Sequence, residues 1–185
     1  MANISSVNGI LYITAASTME CEKIYKLIKF ITNKWVYSFN MYDEFTISEV
    51  KVAHSESDDE VTMETPFNGE GRWSFQNNAQ SFGVWLGDSI RIHSNPTIEI
   101  FEAAKELMSL KFVLEFEYDE DEPGQQFIGV GKTKLFHIAN TPLEEMEILE
   151  DEFVSHELTV ENLVEYRGFD EEYAKEYLEE YYPNS

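Results

Sequence analysis

Lys111 to Phe136 reads KFVLEFEYDEDEPGQQFIGVGKTKLF, and this stretch decides the fold. Phe112, Leu114, Phe116 and Tyr118 fall on one face of an alternating run, with Val113, Glu115 and Glu117 on the other. Such alternation is the pattern of a half-buried strand. Asp119 to Gln126 is an acidic turn holding Pro123 and Gly124, and Phe127 to Phe136 returns as the partner strand. The stretch therefore predicts an antiparallel hairpin.

Upstream of the hairpin, Asn95-Pro96 predicts a helix start, with Asn as the cap and Pro in the first turn, where its missing N–H costs nothing. Phe101, Ala104 and Met108 form its expected core stripe, with Ile100, Ala103 and Leu107 beside it. Ser81–Leu86 and Ser89–His93 flank Gly87-Asp88 and read as a second hairpin. Arg72 to Phe75 reads as a short strand, and Phe67-Asn-Gly-Glu-Gly-Arg72 as a turn-rich link. Val61–Thr65 and Phe45–Ala53 read as strands around a polar loop, His54–Glu60, and Trp35–Phe39 as the start of another. Gly9–Ala15, GILYITA, is a buried strand. Ser17 and Glu20 form a capping-box pattern ahead of a helix whose stripe is Ile24, Leu27, Ile28 and Ile31.

Strand, helix, several strands, helix and two strands make an α+β pattern, an antiparallel sheet with two helices on one face. The simplest arrangement is a split-βαβ, ferredoxin-like core over residues 1–140. The segment FNGEGRWSFQNN, the helix after it and the hairpin resemble the YubB ferredoxin-like family of plasmid and phage proteins. In that family an aromatic-rich strand precedes a helix, and an acidic hairpin with a Phe-x-Gly return follows. Trp73, Phe75, Tyr118, Glu120 and Phe127-Ile128-Gly129 fill those places, over roughly Phe67 to Phe136. The resemblance implies a ferredoxin-like fold and a mobile-element origin, and it brings no assigned activity.

Residues 141–185 read as an acidic helical extension. Leu143, Met146 and Leu149–Phe153 give a helical stripe through Val154. Thr159 caps a short helix that Gly168 ends. Asp170 caps the last helix, whose apolar face is Tyr173, Ala174, Tyr177, Leu178, Tyr181 and Tyr182.

Charge carries the functional signal. The chain's formal net charge is −23, and from Leu143 onward there are 15 acids against 2 bases. The first fifty residues hold 5 acids and 4 bases. Such a chain repels nucleic acid and anionic membranes and attracts basic surfaces. Hydrophobic residues at 43% supply a packed core, which argues against disorder despite the charge. The single cysteine, Cys21, excludes an internal disulfide. No basic-then-apolar leader and no apolar run of about 20 residues is present, so a cytoplasmic protein is expected.

Catalytic signatures are missing: no G-x-S-x-G, no P-loop, no G-x-G-x-x-G. His54, His93, His137 and His156 show no metal-ligand spacing and read as surface or strand-end residues. Asp119 to Gly124 imitates the start of a calcium loop, but Pro123 and Val130 occupy positions where ligands are needed. No enzyme, cofactor or metal is therefore expected.

The expectation is a non-catalytic, charge-mimicking inhibitor of a basic nucleic-acid-binding host protein, a nuclease or CRISPR effector, acting as an anti-CRISPR or anti-restriction protein without contacting nucleic acid or membrane. Its partner-binding acids are Asp119, Glu120, Asp121 and Glu122 at the hairpin tip, Glu144, Glu145, Glu147, Glu150, Asp151 and Glu152, and Glu171, Glu172, Glu176, Glu179 and Glu180 on the last helix. Four other readings remain open: charge as a solubility device, a binding module with a ligand on the aromatic sheet face near Trp73, Phe75 and Trp85, an enzyme with a carboxylate-based site, and packing of the acidic helices on a sister chain.

Overall fold

In the computed structural model, which describes residues 4–33, 35, 38–43, 45–50, 60–72, 74–87, 97–122 and 127–181, the sheet grows outward from β1 (Ile4–Ala15). β4 (Glu60–Arg72) and β5 (Phe112–Glu122) flank it, both antiparallel. β2 (Phe39–Met41) and β3 (Thr46–Val50) share the far edge of β4, while β6 (Phe127–His137) and β7 (Glu147–Glu157) extend the sheet beyond β5. The order is β2–β4–β1–β5–β6–β7, with β3 also on β4, and every pairing is antiparallel. The expected α+β class with an antiparallel sheet is thus observed.

β4 is longer than expected, because it absorbs the segment read as a turn-rich link. Gly69 makes this possible: a Cβ there would lie 2.8 Å from the Ser38 carbonyl oxygen, which accepts the Glu70 N–H at 2.8 Å. Pro66 sits where β2 gives way to β3, and Tyr42 N–H still reaches its carbonyl at 3.0 Å. A missing donor costs least at such a break.

α1 (Thr18–Thr32) is capped as expected, with Ser17 Oγ accepting the Glu20 N–H at 3.3 Å. Cys21, Ile24, Tyr25, Ile28 and Ile31 face the sheet. α4 (Ile98–Met108) buries Ile100, Ala103, Ala104 and Leu107, so its inward stripe is rotated from the expected one and Phe101 is exposed. Its cap position is Thr97.

The expected short strand at Arg72–Phe75 and the first half of the expected hairpin are helical. Ser74 starts α2 (Phe75–Gln80), and α3 (Phe82–Gly87) follows after one residue. The burial of Phe82, Gly83 and Leu86 follows a helical rather than alternating spacing, and these side chains close the aromatic core. Trp73, Ser89–His93, Asn95-Pro96, residues 54–59 of the polar loop and the Pro123–Gln126 turn lie outside the described residues.

The helices α1 to α4 cover one face. Beneath them Leu11, Ile13, Met63, Phe67, Phe112, Leu114, Phe116 and Leu135 make the core. Each such side chain contributes about 1.5–3 kcal/mol when fully buried. At its rim the imidazole of His137 bridges the carbonyls of Leu110 (2.8 Å) and Thr141 (3.0 Å).

The largest correction lies after Pro142. A single 3-10 turn (Leu143–Glu145) leads into β7, where a helix was expected. β7 pairs with β6, with Leu149 inserted as an extra residue between the Leu135–Ile148 and Lys134–Glu150 pairs. A division at residue 140 would therefore cut into the sheet. α5 (Val160–Arg167) and α6 (Glu171–Tyr181) then fold onto the opposite face, where Leu158, Leu163 and Ala174 enclose Ile128 in a second small core. Gly168 ends α5 with φ 66°, a conformation that costs glycine little. Among the described residues no helix is long and apolar enough to cross a membrane.

Candidate functional site

The sheet geometry divides the fifteen nominated acids into internal and outward sets. Even-numbered residues of β5 point to the face covered by α1–α4, and odd-numbered ones point to the face that carries α5 and α6.

Glu120 points inward and is fully buried. It accepts the Phe75 N–H and, at 2.6 Å, the Ser74 hydroxyl. It anchors the start of α2 to the sheet and faces no solvent. Asp119 and Asp121 point to the other face, where the Arg167 guanidinium pairs with both. The Tyr177 hydroxyl also donates to Asp121 at 2.9 Å. Burial pushes the Asp121 carboxyl up, and the Tyr177 hydrogen bond opposes that push. These three acids hold the molecule together, and they lie in a strand rather than at a solvated tip. Of Glu122 only the backbone, at the end of β5, is described.

Asp151 on β7 is also engaged. Its carboxylate accepts Gln76 Nε2 (2.8 Å), Gln80 Nε2 (2.7 Å) and Thr133 Oγ1 (3.0 Å), which ties α2 to the sheet edge. Nearby, burial raises the Tyr118 phenol well above its ordinary value, and the carboxylates of Glu120 and Asp151 push the same way.

The outward set is different. Glu144, Glu145, Glu147 and Glu152 are exposed along and before β7, and Glu150 is half-buried beside Lys132. Glu171, Glu172, Glu176, Glu179 and Glu180 are exposed on α6, which carries one base, Lys175, bonded to Glu171. α6 is fixed to the sheet by buried Ala174 and by Tyr177 and Leu178 packed on the second core. Its carboxylates therefore have defined positions.

Bases on the same face are surrounded by acids. Lys132 lies 2.9 Å from Glu115, 3.6 Å from Glu117 and 3.7 Å from Glu150, and Lys134 lies 2.8 Å from Glu115. Burial pushes the Glu115 carboxyl up, but the hydrogen bonds from Lys134 and Lys132 outweigh it and hold the group below its ordinary value.

Among the described residues of the aromatic sheet face, the rings are packed together. Phe39, Phe67, Phe75, Phe82 and Phe116 pack against one another in the core, and Trp85 meets Trp35 edge-to-face at 5.7 Å. Sequence reasoning missed a feature on the opposite face. Two adjoining depressions of about 440 and 340 Å³ share Glu117 and Val130, between the α5–α6 link and β7. Its only sequence signal was the exposed alternation of β6, which is not readable without knowing which strands neighbour it. No group of three or more His, Cys, Asp or Glu side chains is poised for a metal among the described residues.

Compared with protein-family models, curated proteins and solved structures, the chain matches none.

Proposed function

We propose that this protein is a non-catalytic, cytoplasmic inhibitor that presents carboxylates in place of phosphates and occupies the nucleic-acid groove of a basic host defence protein, in the manner of an anti-CRISPR or anti-restriction factor. The observation that supports it is the rigid seating of α6. Five glutamates are held along about 14 Å of helix axis. That is a linear density close to the one charge per about 3.4 Å of helix axis that a single strand of duplex DNA presents. A flexible acidic tail would lose the same charge density to disorder on every encounter, whereas a docked helix does not.

Self-repulsion among these acids costs stability. Bases that could relieve it are already enclosed, Arg167 by Asp119 and Asp121, Lys132 by Glu115, Glu117 and Glu150. The outward field is left negative, which accelerates encounter with a basic groove.

The strand order β2–β4–β1–β5, with α1 leading out of β1 and α4 leading into β5 on the same face, supports reading the core as a ferredoxin-like split βαβ unit. It also supports kinship with the YubB-like plasmid and phage proteins, and thus a mobile-element origin.

The test is retention from bacterial lysate on the immobilised protein at low salt. A nuclease or other nucleic-acid-binding protein should be enriched, released by salt and displaced by duplex DNA, and lost when Glu172, Glu176 and Glu180 are changed together to Lys. Recovery of no basic protein, or retention that DNA leaves untouched, overturns the proposal.

A further inference from the structure

Resting on that reading, we propose that the trough between the α5–α6 link and β7 is the place where the partner is gripped, and that its occupant is an extended basic segment whose lysine or arginine stems lie on the trough floor. The two depressions share Glu117 and Val130, so they form one channel across β5, β6 and β7. Either half is in the size range of a ligand pocket, about 300–1,000 Å³.

The floor is apolar and solvent-facing. Ile10, Val130 and Val154 are 38%, 41% and 55% exposed. Phe169 and Tyr166 wall the end under α6, and Tyr166 is braced by stacking on His156 at 3.7 Å. Carboxylates stand over this floor. Glu117 lines both depressions, and Glu152, which forms no ion pair among the described residues, lines the second.

This combination selects the occupant by chemistry. Lysine and arginine side chains bury an aliphatic stem while keeping the charged head beside an acceptor. Val130 and Val154 suit the stem, Glu117 and Glu152 suit the head, and the rings of Tyr166 and Phe169 favour a cation above them. A neutral apolar segment would strip water from Glu117 and Glu152 without replacing it. An acidic segment would be repelled. Two bases line the trough, and neither reverses this. Lys132 already lies beside Glu115, Glu117 and Glu150, and Arg167 beside Asp119 and Asp121.

The experiment uses a short fluorescein-labelled peptide of alternating arginine and alanine, at physiological salt, with the citrulline-for-arginine peptide as neutral control. Fluorescence anisotropy should show binding of the arginine peptide alone. Glu117→Gln with Glu152→Gln should weaken it by about tenfold, and Val154→Arg by a similar factor, whereas Glu99→Gln with Glu102→Gln, two exposed acids of α4 on the other side of the sheet, should change it by less than about twofold. Val154 is on the exposed edge strand, so its replacement tests the trough without disturbing either core. Amide shifts on titration should concentrate at Val130, Gly131 and Phe169. Equal weakening by the trough pair and the α4 pair overturns the trough and leaves the broader acidic-surface reading intact. Failure of the unmodified protein to bind the arginine peptide also overturns the trough, while the acidic-surface reading is judged separately by displacement with DNA.

Discussion

The carboxylate of Glu120 accepts the backbone N–H of Phe75, joining the far end of β5 to the first residue of α2 across 45 positions of sequence. A buried charged acceptor in such a bond contributes about 1.5–3 kcal/mol, and its removal leaves the N–H and the Ser74 hydroxyl short of an acceptor. Glu120→Ala should therefore destabilise the protein by about 2–3 kcal/mol. Glu120→Gln, which keeps an acceptor in place, should cost less. Urea unfolding monitored by tryptophan fluorescence measures both, and an unchanged midpoint for Glu120→Ala would show that α2 does not depend on this bond.

Asp151 and Glu152 are neighbours with different duties. Asp151 holds Gln76, Gln80 and Thr133, while Glu152 faces the trough. Asp151→Ala should lower stability by about 1 kcal/mol, a modest cost because the site is exposed. Glu152→Gln should leave stability within about 0.5 kcal/mol, as surface changes usually do. Thermal unfolding of the two single variants checks the pair, and equal effects would refute the division.

The α5–α6 unit should open without the rest. It rests on a small core of its own, closed by Leu163 and Ala174, and on the Arg167 clamp. Leu163→Ala should cost about 3 kcal/mol. That is enough to release a unit of low local stability. Limited proteolysis should then cut near Leu158–Val160 and Gly168 while β1 to β6 remain protected. Cleavage spread evenly over the chain would mean that the two cores unfold together.

Acid should weaken the sheet through Glu115. An unfolded glutamate titrates at about 4.3, and the folded carboxyl lies lower because Lys134 and Lys132 offset its burial. The resulting stability is complete above the unfolded value and is lost as pH falls through the folded one. Glu115→Gln removes this contribution, so the Tm gap between the unmodified protein and the variant should narrow on acidification from neutral to about pH 3. A gap that stays constant would show that the lysine contacts contribute no net stability.

What could be read in the sequence was whatever a segment encodes by itself. β1, the β5–β6 hairpin, α1 with its Ser17 cap and α5 with its Gly168 stop each carry a local pattern that tertiary packing did not override. β7 failed for a specific reason. The extra residue at Leu149 breaks its alternation, and the half-buried positions Glu150, Phe153 and His156 recur every third residue, imitating a helix. Ser81–Leu86 failed in reverse, since a run with strand-like composition was captured as a helix by the aromatic core. Of the nominated acids, the sequence could show their number and not their facing. The inward turn of Glu120 follows from β5 running on through the segment read as a turn, which carries the Phe112–Tyr118 alternation two residues further, and the loss of Asp119 and Asp121 to Arg167 depends on where α5 docks.

The Tyr12 hydroxyl donates to Glu117 at 3.2 Å, although 105 residues separate them. β1 is the central strand, and one of its two neighbours is made only after more than half the chain has been synthesised. During translation β1 can pair with β4 while its other edge stays open until β5 arrives. Closing a loop of that length costs entropy before any pairing returns it. Folding dominated by such distant antiparallel contacts is expected on a scale of about milliseconds to seconds. In that interval the edge of β1 that β5 will cover presents unpaired backbone N–H and C=O groups to which another chain could add.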